Sequence, residues 1–311
     1  MIEALGLSKT YGGLRAVDGV TFTAEPGGVL GFLGPNGAGK STTMRMLAGT
    51  LAPSGGTARL GGLDVRTDGL AVRALVGYLP ENNPLYEEME TADYLEWCAA
   101  ARGLSGARLA ERVKASVSDC GLGEALGRPL GVLSKGTRQR VGLAAAIVHD
   151  PAILILDEPT SGLDPNQARE VRALIGTLKA EKTVLLSTHI LSEVEAVCDR
   201  AVILAKGRIA ASGTLAELSR LGGPPRIRLT LAAADLDPAA ARAALTGLPG
   251  VSAAEPDAAP EGEAAFLLEA PPEARAAVSR LAAQRGWTLL GLEARAPSLE
   301  EVFRGLAGGA P

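Results

Sequence analysis

The sequence predicts an α/β domain built around a parallel β-sheet, followed by a smaller α+β domain. Three short apolar runs lack the alternation of a half-exposed strand, which is typical of parallel strands buried on both faces. These runs are residues 29–33, 152–156 and 183–187. The second observation is the Leu-Gly-Gly-Pro-Pro stretch at 221–225, which cannot continue a helix or a strand. We therefore predict domains at residues 1–222 and 223–311.

Length, charge and composition limit the classes of function. A chain of 311 residues with 47% hydrophobic residues can form two domains with substantial cores. Its net charge of −4 and its aromatic content of 3% argue against a nucleic-acid-binding surface, so no nucleic-acid partner is expected. The first residues lack a signal-peptide pattern, and every apolar run is shorter than the roughly 18 residues that span a bilayer. We expect a cytoplasmic protein that reaches a membrane only through a partner.

Cysteine and histidine are sparse, and most of them predict no chemistry. Cys98, Cys120 and Cys198 are far apart and form no C-x-x-C pair, so reduced thiols are expected rather than a metal site or disulfide. Of the two histidines, His149 has no motif around it and is expected at the surface. His189 follows a predicted strand and is considered below.

Helical patterns fill the space between the predicted strands. A helix is predicted over residues 40–48, directly after a glycine-rich loop. Residues 81–133 are mostly helical in pattern, with Tyr94 and Leu95 on one apolar stripe. We predict that a helical subdomain, at about residues 82–145, is inserted into the α/β core.

The second domain has its own order of elements. A strand, a helix, a strand, a helix and a closing strand are predicted in turn, and Ser298-Leu299-Glu300-Glu301 is a capping box for a last helix. The five elements are placed at 226–231, from 237, at 265–269, at 274–285 and at 287–292. This order predicts a small α+β domain of ferredoxin-like type.

The glycine-rich loop fits the phosphate-binding pattern G-x-x-x-x-G-K-[ST], between a strand and a helix. Its glycines allow backbone N–H groups to surround phosphate oxygens at the start of the helix. A lysine supplies charge to the β- and γ-phosphates, and Ser41 is predicted to bind Mg²⁺. The predicted nucleotide-binding residues here are Gly34, Pro35, Asn36, Gly37, Ala38, Gly39, Lys40, Ser41 and Thr42.

Two adjacent carboxylates end the apolar strand at 153–156. Asp157 is predicted to hold Mg²⁺ through water, and Glu158 to polarise the attacking water as a general base. Adjacent acids after a strand are often only solvated loop charges. The phosphate-binding loop upstream favours the catalytic interpretation.

Four further segments carry a resemblance to a known family. Leu133-Ser134-Lys135-Gly136-Thr137-Arg138-Gln139-Arg140 resembles the signature motif of ATP-binding cassette (ABC) ATPases, and Ser161-Gly162-Leu163-Asp164 resembles their D-loop. His189 resembles their switch histidine, and Tyr11 occupies the place of the aromatic residue that stacks on adenine. The resemblance covers about residues 1–220. It implies ATP and Mg²⁺ as ligands, and a hydrogen bond from His189 to the γ-phosphate.

The same resemblance implies a head-to-tail dimer. ATP would lie between the phosphate-binding loop of one subunit and Ser134, Lys135 and Gly136 of the other. Two motifs depart from the usual pattern: Lys135 and Thr137 stand at the third and fifth positions of the usual Leu-Ser-Gly-Gly-Gln signature, and Glu81 stands where the Q-loop usually has glutamine. Lys135 either adds charge near the γ-phosphate or points to solvent, whereas Glu81 is predicted near Mg²⁺. Both departures, and the ending at 297–303, are similar to a prokaryotic exporter-type branch.

The resemblance implies an ATP-hydrolysing subunit of an ABC transporter. One phosphate-binding loop and no membrane span predict a pair of cassettes beneath separately encoded transmembrane subunits, on the inner face of the cell membrane. The alternative is a soluble ABC ATPase of translation or DNA repair, but the tandem cassettes and long coiled coils of those classes are not seen in the sequence. A GTPase switch is disfavoured because no N-K-x-D motif is present. The second domain is predicted to regulate or stabilise assembly.

Overall fold

The computed structural model describes residues 1–222, 225–233, 236–260, 262–295 and 299–307. The chain divides into two compact units, Met1–Leu215 and Ala216–Pro311. Part of the predicted linker, residues 223 and 224, and Ser298 of the predicted capping box lie outside the described residues. None of the helices within the described ranges is long and apolar enough to cross a membrane.

Ten strands of the first unit form two sheets. They are β1 (Ile2–Tyr11), β2 (Leu14–Ala24), β3 (Val29–Leu33), β4 (Gly55–Leu60), β5 (Leu63–Asp64), β6 (Val76–Leu79), β7 (Ile153–Asp157), β8 (Thr183–Thr188), β9 (Arg200–Ala205) and β10 (Arg208–Thr214). One sheet is antiparallel, in the order β2-β1-β4-β5. The other has the order β10-β9-β3-β8-β7-β6 and is parallel except at β9–β10.

The parallel sheet confirms the predicted fold class. Strands β3, β7 and β8 are the three predicted apolar runs, and every residue in them is buried. Their unbroken apolar sequences follow from this burial on both faces. The antiparallel sheet packs into the same core, where Phe22 of β2 meets Phe32 of β3 edge-on, with ring centroids 4.9 Å apart. Because β3, β8 and β7 are parallel neighbours, the carboxyl ends of β3 and β7 lie at the same end of the sheet.

Helices connect these strands and form the predicted insertion. The helices of this part of the chain are α1 (Lys40–Leu47), α2 (Gly69–Leu75), α3 (Thr91–Ala101), α4 (Gly106–Asp119), α5 (Lys135–Ile147), α6 (Pro165–Leu178), α7 (Leu191–Val197) and α8 (Leu215–Arg220). Between β6 and β7, helices α3, α4 and α5 pack against one another. Tyr94 and Leu95 are buried on α3, as their shared stripe predicts.

The second unit has the order β-α-β-β-α-β, followed by a final helix. Its elements are β11 (Arg226–Ala232), α9 (Pro238–Thr246), β12 (Ala253–Asp257), β13 (Glu263–Glu269), α10 (Arg275–Gln284), β14 (Thr288–Arg295) and α11 (Leu299–Ala307). The sheet is antiparallel, in the order β12-β13-β11-β14. Alternate residues of β11, Ile227, Leu229 and Leu231, are buried in its core. This is the ferredoxin-like order, and its second strand, β12, is one that the sequence analysis did not predict.

Candidate active site

The loop between β3 and α1 has a backbone that requires glycine. Gly37 and Gly39 have φ of 79° and 100°, in the left-handed region that other residues rarely adopt. A Cβ atom on Gly34 would lie 2.6 Å from the carbonyl oxygen of Leu204, and one on Gly39 would lie 2.7 Å from that of Ala16. The loop is therefore held close to its neighbours while its chain turns into α1. This geometry suits a loop whose backbone N–H groups face phosphate.

Lys40 is the first residue of α1 and is buried, with only 6% of its surface exposed. Its Nζ donates to the carbonyl oxygen of Gly34 at 2.8 Å and lies 3.3 Å from Oε1 of Glu158. A buried ammonium group needs such partners, because an unpaired buried charge is costly. These contacts hold the Lys40 ammonium group at the centre of the loop, where phosphate oxygens would bind.

Two of the three predicted Mg²⁺ ligands, Ser41 and Asp157, lie in contact. The Ser41 hydroxyl donates to Oδ1 of Asp157 at 3.2 Å, and the Ser187 hydroxyl donates to the same oxygen. Burial raises the pKa of Asp157, and the Glu81 and Glu158 carboxylates add to that effect, whereas the two hydroxyls oppose it. Hydroxyl and carboxylate oxygens are ligands that suit Mg²⁺. Among the described residues, no group of three or more His, Cys, Asp or Glu side chains is placed to hold a metal ion.

Glu158 lies between a cation and a histidine. It has φ of 49°, unusual for a residue with a side chain, and its N–H donates to the hydroxyl and carbonyl oxygens of Ser187, each at 3.1 Å. Its Oε2 is 2.9 Å from Nδ1 of His189, and its Oε1 faces Lys40. The carboxylate is buried, so its orientation is fixed by these contacts. A carboxylate fixed beside the loop is placed to accept a proton from a bound water.

A cavity of 720 Å³ extends along the loop. This volume is in the range of small-molecule sites. Glu81 and Glu158 line it, and so do the first residues of β2 and the β9–β10 turn. Its lining residues are Leu14, Arg15, Ala16, Asn36, Gly37, Gly39, Lys40, Ser41, Thr42, Glu81, Glu158, Lys206 and Gly207. Most predicted nucleotide-binding residues of the loop, and Glu81, are thus brought together.

The signature residues do not line this cavity. Ser134 precedes α5, and its Oγ accepts from the Thr137 N–H at 3.1 Å as a helix cap. Gly136 lies against Gln167, whose Cδ would be 2.4 Å from an added Cβ. Lys135 is exposed, with its ammonium group beside Gly162. Within one chain, these residues form the start of α5. They contact α6 and the segment that precedes it.

Tyr11 also lies outside the cavity lining, at the end of β1. Its ring is exposed, and Lys9 Nζ lies 5.5 Å from its centroid. The turn that follows it places Leu14 and Ala16 on the cavity instead. A role for Tyr11 beside adenine stays a prediction.

Sequence reasoning missed the β9–β10 turn and misplaced His149. Gly207 packs so closely on Ala16 that an added Cβ would lie 2.8 Å from its carbonyl oxygen, and this contact joins the turn to the cavity. In the sequence the Lys206-Gly207 pair indicates a hairpin turn, but it does not show which part of the chain lies next to that turn. His149 is not at the surface as expected, because both ring nitrogens are buried. Burial, with nearby Arg102, lowers its pKa to about 4.

Comparison with known proteins identifies the family. Residues 17–161 match the family described as ABC transporter. The chain is 42% identical over 231 residues to the daunorubicin/doxorubicin resistance ATP-binding protein DrrA of Streptomyces peucetius, covering 74% of this chain and 70% of that one. It is 30% identical to the linearmycin resistance ATP-binding protein LnrL of Bacillus subtilis, over 99% of this chain and 98% of that one.

A solved structure described as the ATP-binding subunit of an ABC transporter agrees with this result. Its TM-score is 0.65 at 34% identity, with 71% of this chain and 92% of that chain covered. Because this solved structure is described as a transporter subunit, and the matching family model is described as ABC transporter, the comparisons support the transporter hypothesis over the soluble alternative. The chain belongs to the ABC transporter family, as an ATP-binding and ATP-hydrolysing subunit that powers transport.

Proposed function

We propose that this chain drives an exporter as a homodimer that encloses ATP and Mg²⁺ and is bound to a separately encoded membrane subunit. The observation that carries the proposal is the Glu158 carboxylate, held between Lys40 and His189 at the wall of the cavity. Export is supported by the relatives, which include a protein named as the Nod factor export ATP-binding protein I of Ralstonia nicotianae, 37% identical over 220 residues. The proposed location is the inner face of the cell membrane.

The predicted site residues have proposed parts in hydrolysis. The loop and Lys40 bind the phosphates, and Ser41, Asp157 and Glu81 hold Mg²⁺, which neutralises phosphate charge when bound. Glu158 accepts the proton of the attacking water. In this structure His189 orients the Glu158 carboxylate. When ATP binds, Lys40 moves from Glu158 to the phosphates, and His189 donates a hydrogen bond to the γ-phosphate. Catalysis is assigned to residues 1–222 and an accessory role to 223–311.

The dimer is proposed because one chain leaves its signature residues away from its own cavity. Ser134 is exposed at the start of α5, a helix of 13 residues whose N-terminal dipole favours an anion. A second copy, placed head to tail, would direct this end towards the γ-phosphate. Each ATP site would then need Lys40 of one copy and Ser134 of the other.

Mixing two inactive variants tests this arrangement. Lys40→Met removes the phosphate charge, and Ser134→Asp keeps a side chain that caps α5 while adding a charge that repels phosphate. In a mixed dimer, one site receives both changes and the other receives neither. An equal mixture should therefore recover about a quarter of the wild-type ATPase rate, because half of the dimers are mixed and each has one intact site. A mixture as inactive as its components would overturn the proposal.

An exposed aromatic groove supports a membrane-subunit partner. Tyr86 and Trp97 are 56% and 48% exposed, and their ring centroids are 5.2 Å apart. Trp97 also lines a neighbouring cavity of 300 Å³ together with Pro80, Asn83 and Pro84, which flank Glu81 in the chain. Exposed aromatic residues are enriched at protein interfaces. We place an apolar cytoplasmic segment of the membrane subunit in this groove.

Co-purification tests the groove. Trp97→Ala should abolish recovery of the membrane subunit from detergent-solubilised membranes, yet leave ATP binding by the isolated chain unchanged. Leu70→Ala is the matched control, because Leu70 is 79% exposed on α2 and does not line this groove. Equal recovery with Trp97→Ala and wild type would exclude the groove as the docking site.

A further inference from the structure

Glu193 is a carboxylate that lies deep in the protein, outside the cavity lining. It lies on α7 and is only 2% exposed. Its Oε1 accepts from the Thr160 hydroxyl, and its Oε2 accepts from the Thr188 hydroxyl at 2.7 Å. Arg172 Nη1 lies 3.6 Å from Oε1 and balances the charge. A buried carboxylate is tolerated only with such partners, so an apolar replacement would leave these polar groups unpaired.

The two hydroxyls belong to the segments that carry the proposed catalytic pair. Thr160 follows Glu158 by two residues, and Thr188 immediately precedes His189. Both threonine side chains are buried. The Thr188 hydroxyl also accepts from the Ile190 N–H at 3.0 Å, so the backbone on both sides of His189 is fixed. One carboxylate therefore links the two segments.

These contacts close a ring around the catalytic pair. Glu158 and His189 meet directly at 2.9 Å, while Thr160 and Thr188 meet through Glu193. The ring matters because Glu158 is in the left-handed region, a conformation that persists only when its surroundings determine it. A shift of either segment would change the direction of the Glu158 carboxylate.

We infer that Glu193 is a positioning residue for ATP hydrolysis, whose carboxylate sets the orientation of the Glu158–His189 pair through Thr160 and Thr188. The inference rests on the proposed role of Glu158 as the general base. Glu193 does not line the ATP cavity, so it acts on turnover and not on nucleotide binding. Small misplacements of a catalytic group lower the rate strongly, by up to about 100-fold for about 1 Å.

Three substitutions test the inference in the full-length chain. Glu193→Gln removes the charge at constant size, and Thr160→Val and Thr188→Val remove each hydroxyl at nearly constant volume. Each should lower kcat for Mg-ATP by about 10-fold while the Kd for ATP stays within about two-fold. Glu195→Gln is the matched control, because Glu195 is exposed on the same helix. It should leave both constants unchanged.

Combining the changes separates positioning from a general loss of structure. Adding Glu193→Gln to the Thr160→Val, Thr188→Val double variant should cause no further loss of kcat, because both contacts are already absent. ATP-binding stoichiometry is measured in parallel and should remain at the wild-type value. An unchanged kcat, a fall in stoichiometry that accounts for the lost rate, or full additivity would each overturn the inference. If Glu158→Gln retained full activity, the proposed role of Glu158 would fail instead, and these outcomes are distinguishable.

Discussion

Replacing Glu158 with glutamine tests the proposed chemistry most directly. The change keeps the size of the side chain and removes the proton acceptor. Loss of a general base lowers the rate by about 10²–10⁴-fold, which corresponds to about 3–5 kcal/mol in the barrier. We expect the Glu158→Gln variant to bind ATP but to hydrolyse it within that reduced range. It should accumulate as an ATP-bound dimer, because hydrolysis is what reopens the enclosed nucleotide.

The structure adds an expectation about stability. Without ATP, Lys40 is buried and has Glu158 3.3 Å away as its ionic partner. Removing the charge of that partner leaves the ammonium group with neutral acceptors, among them the carbonyl oxygens of Gly34 at 2.8 Å and Pro35 at 3.4 Å, and costs about 1–3 kcal/mol of folding stability. Bound triphosphate supplies a new partner for Lys40. In the absence of ATP, the variant should therefore be less stable than wild type. ATP binding should raise the stability of the variant by more than it raises that of wild type.

Three measurements check this prediction. They are the steady-state ATPase rate, size-exclusion chromatography with Mg-ATP, and thermal unfolding with and without nucleotide. Glu181→Gln is the control, because Glu181 is exposed beyond α6. An ATPase rate equal to that of wild type would refute the assignment of Glu158 as base. A monomer in the presence of ATP would refute the dimer argument but not the chemistry.

Four further predictions concern the Q-loop, the helical insertion, the pH dependence and the second unit. Glu81→Gln should weaken the Mg²⁺ dependence of ATP binding, because an amide attracts a hard cation less than a carboxylate does; superimposable Mg²⁺ titrations would contradict this. Gly142→Ala should destabilise the fold by about 1–3 kcal/mol in chemical denaturation, because its Cβ would lie 2.2 Å from Oδ1 of Asn83, and Asn83→Ala in the same chain should restore part of the loss. The lowered pKa of His149, about 4 against an ordinary value of about 6.5, means that the unfolded chain takes up the proton first, so stability present above pH 6.5 is lost as the pH falls towards 4. Between pH 7 and pH 5, the free energy of unfolding of wild type should fall by about 1 kcal/mol more than that of His149→Leu, after about half of the effect is discounted for solvent screening. An equal pH dependence of the two proteins in chemical denaturation would refute this. A chain of residues 1–222 should still bind ATP, and a soluble form that does not bind it would contradict the assignment of catalysis to this part.

The parallel sheet could be predicted because its physical cause is visible in the sequence. Burial on both faces leaves β3, β7 and β8 without polar residues until the strand ends, so each strand is a short apolar block. The antiparallel sheet has no comparable signal. Its first strand, β1, contains Gly6 with φ of 64° and register shifts along its pairing with β2, so the two-residue alternation is broken. A period-two search therefore passes over it.

The edge strand β12 was missed for a different reason. Pro256 lies within it, and proline argues against a strand in the middle of a sheet. In this sheet β12 is at the edge and pairs with β13 alone, so the missing N–H of Pro256 is tolerated. Only the three-dimensional order of the strands distinguishes the two cases.

Some residues of the site also have a local sequence signal, whereas others reach the site only through contacts between distant parts of the chain. The loop of Gly34–Ser41 and the acids Asp157 and Glu158 have local signals, namely glycine spacing and a strand that ends in carboxylates. Lys206 has none, because only the pairing of β9 with β3 brings its turn beside the loop. Glu193 has a misleading signal, since a glutamate in the first turn of a short helix usually faces solvent. Its role can be inferred only from the hydrogen bonds that it accepts from two buried hydroxyls.

The charges close to Lys40 lead us to expect that a cation assists nucleotide binding. Glu81 and Glu158 line the cavity, Glu158 is the ionic partner of Lys40, and Asp157 contacts Ser41. Arg15 and Lys206 line the cavity as well. A triphosphate entering alone would bring negative charge close to three carboxylates; burial raises the pKa of Asp157, and repulsion from Glu81 and Glu158 adds to that effect. A divalent cation reverses this balance, since the same carboxylates that repel phosphate attract the metal. The oxygens of Ser41 and Asp157 would then be suited to hold the cation, and the phosphates would offer Lys40 a partner in place of Glu158. We therefore expect metal binding, the exchange of partners by Lys40 and the freeing of the Glu158 carboxylate for proton transfer to be parts of one electrostatic change.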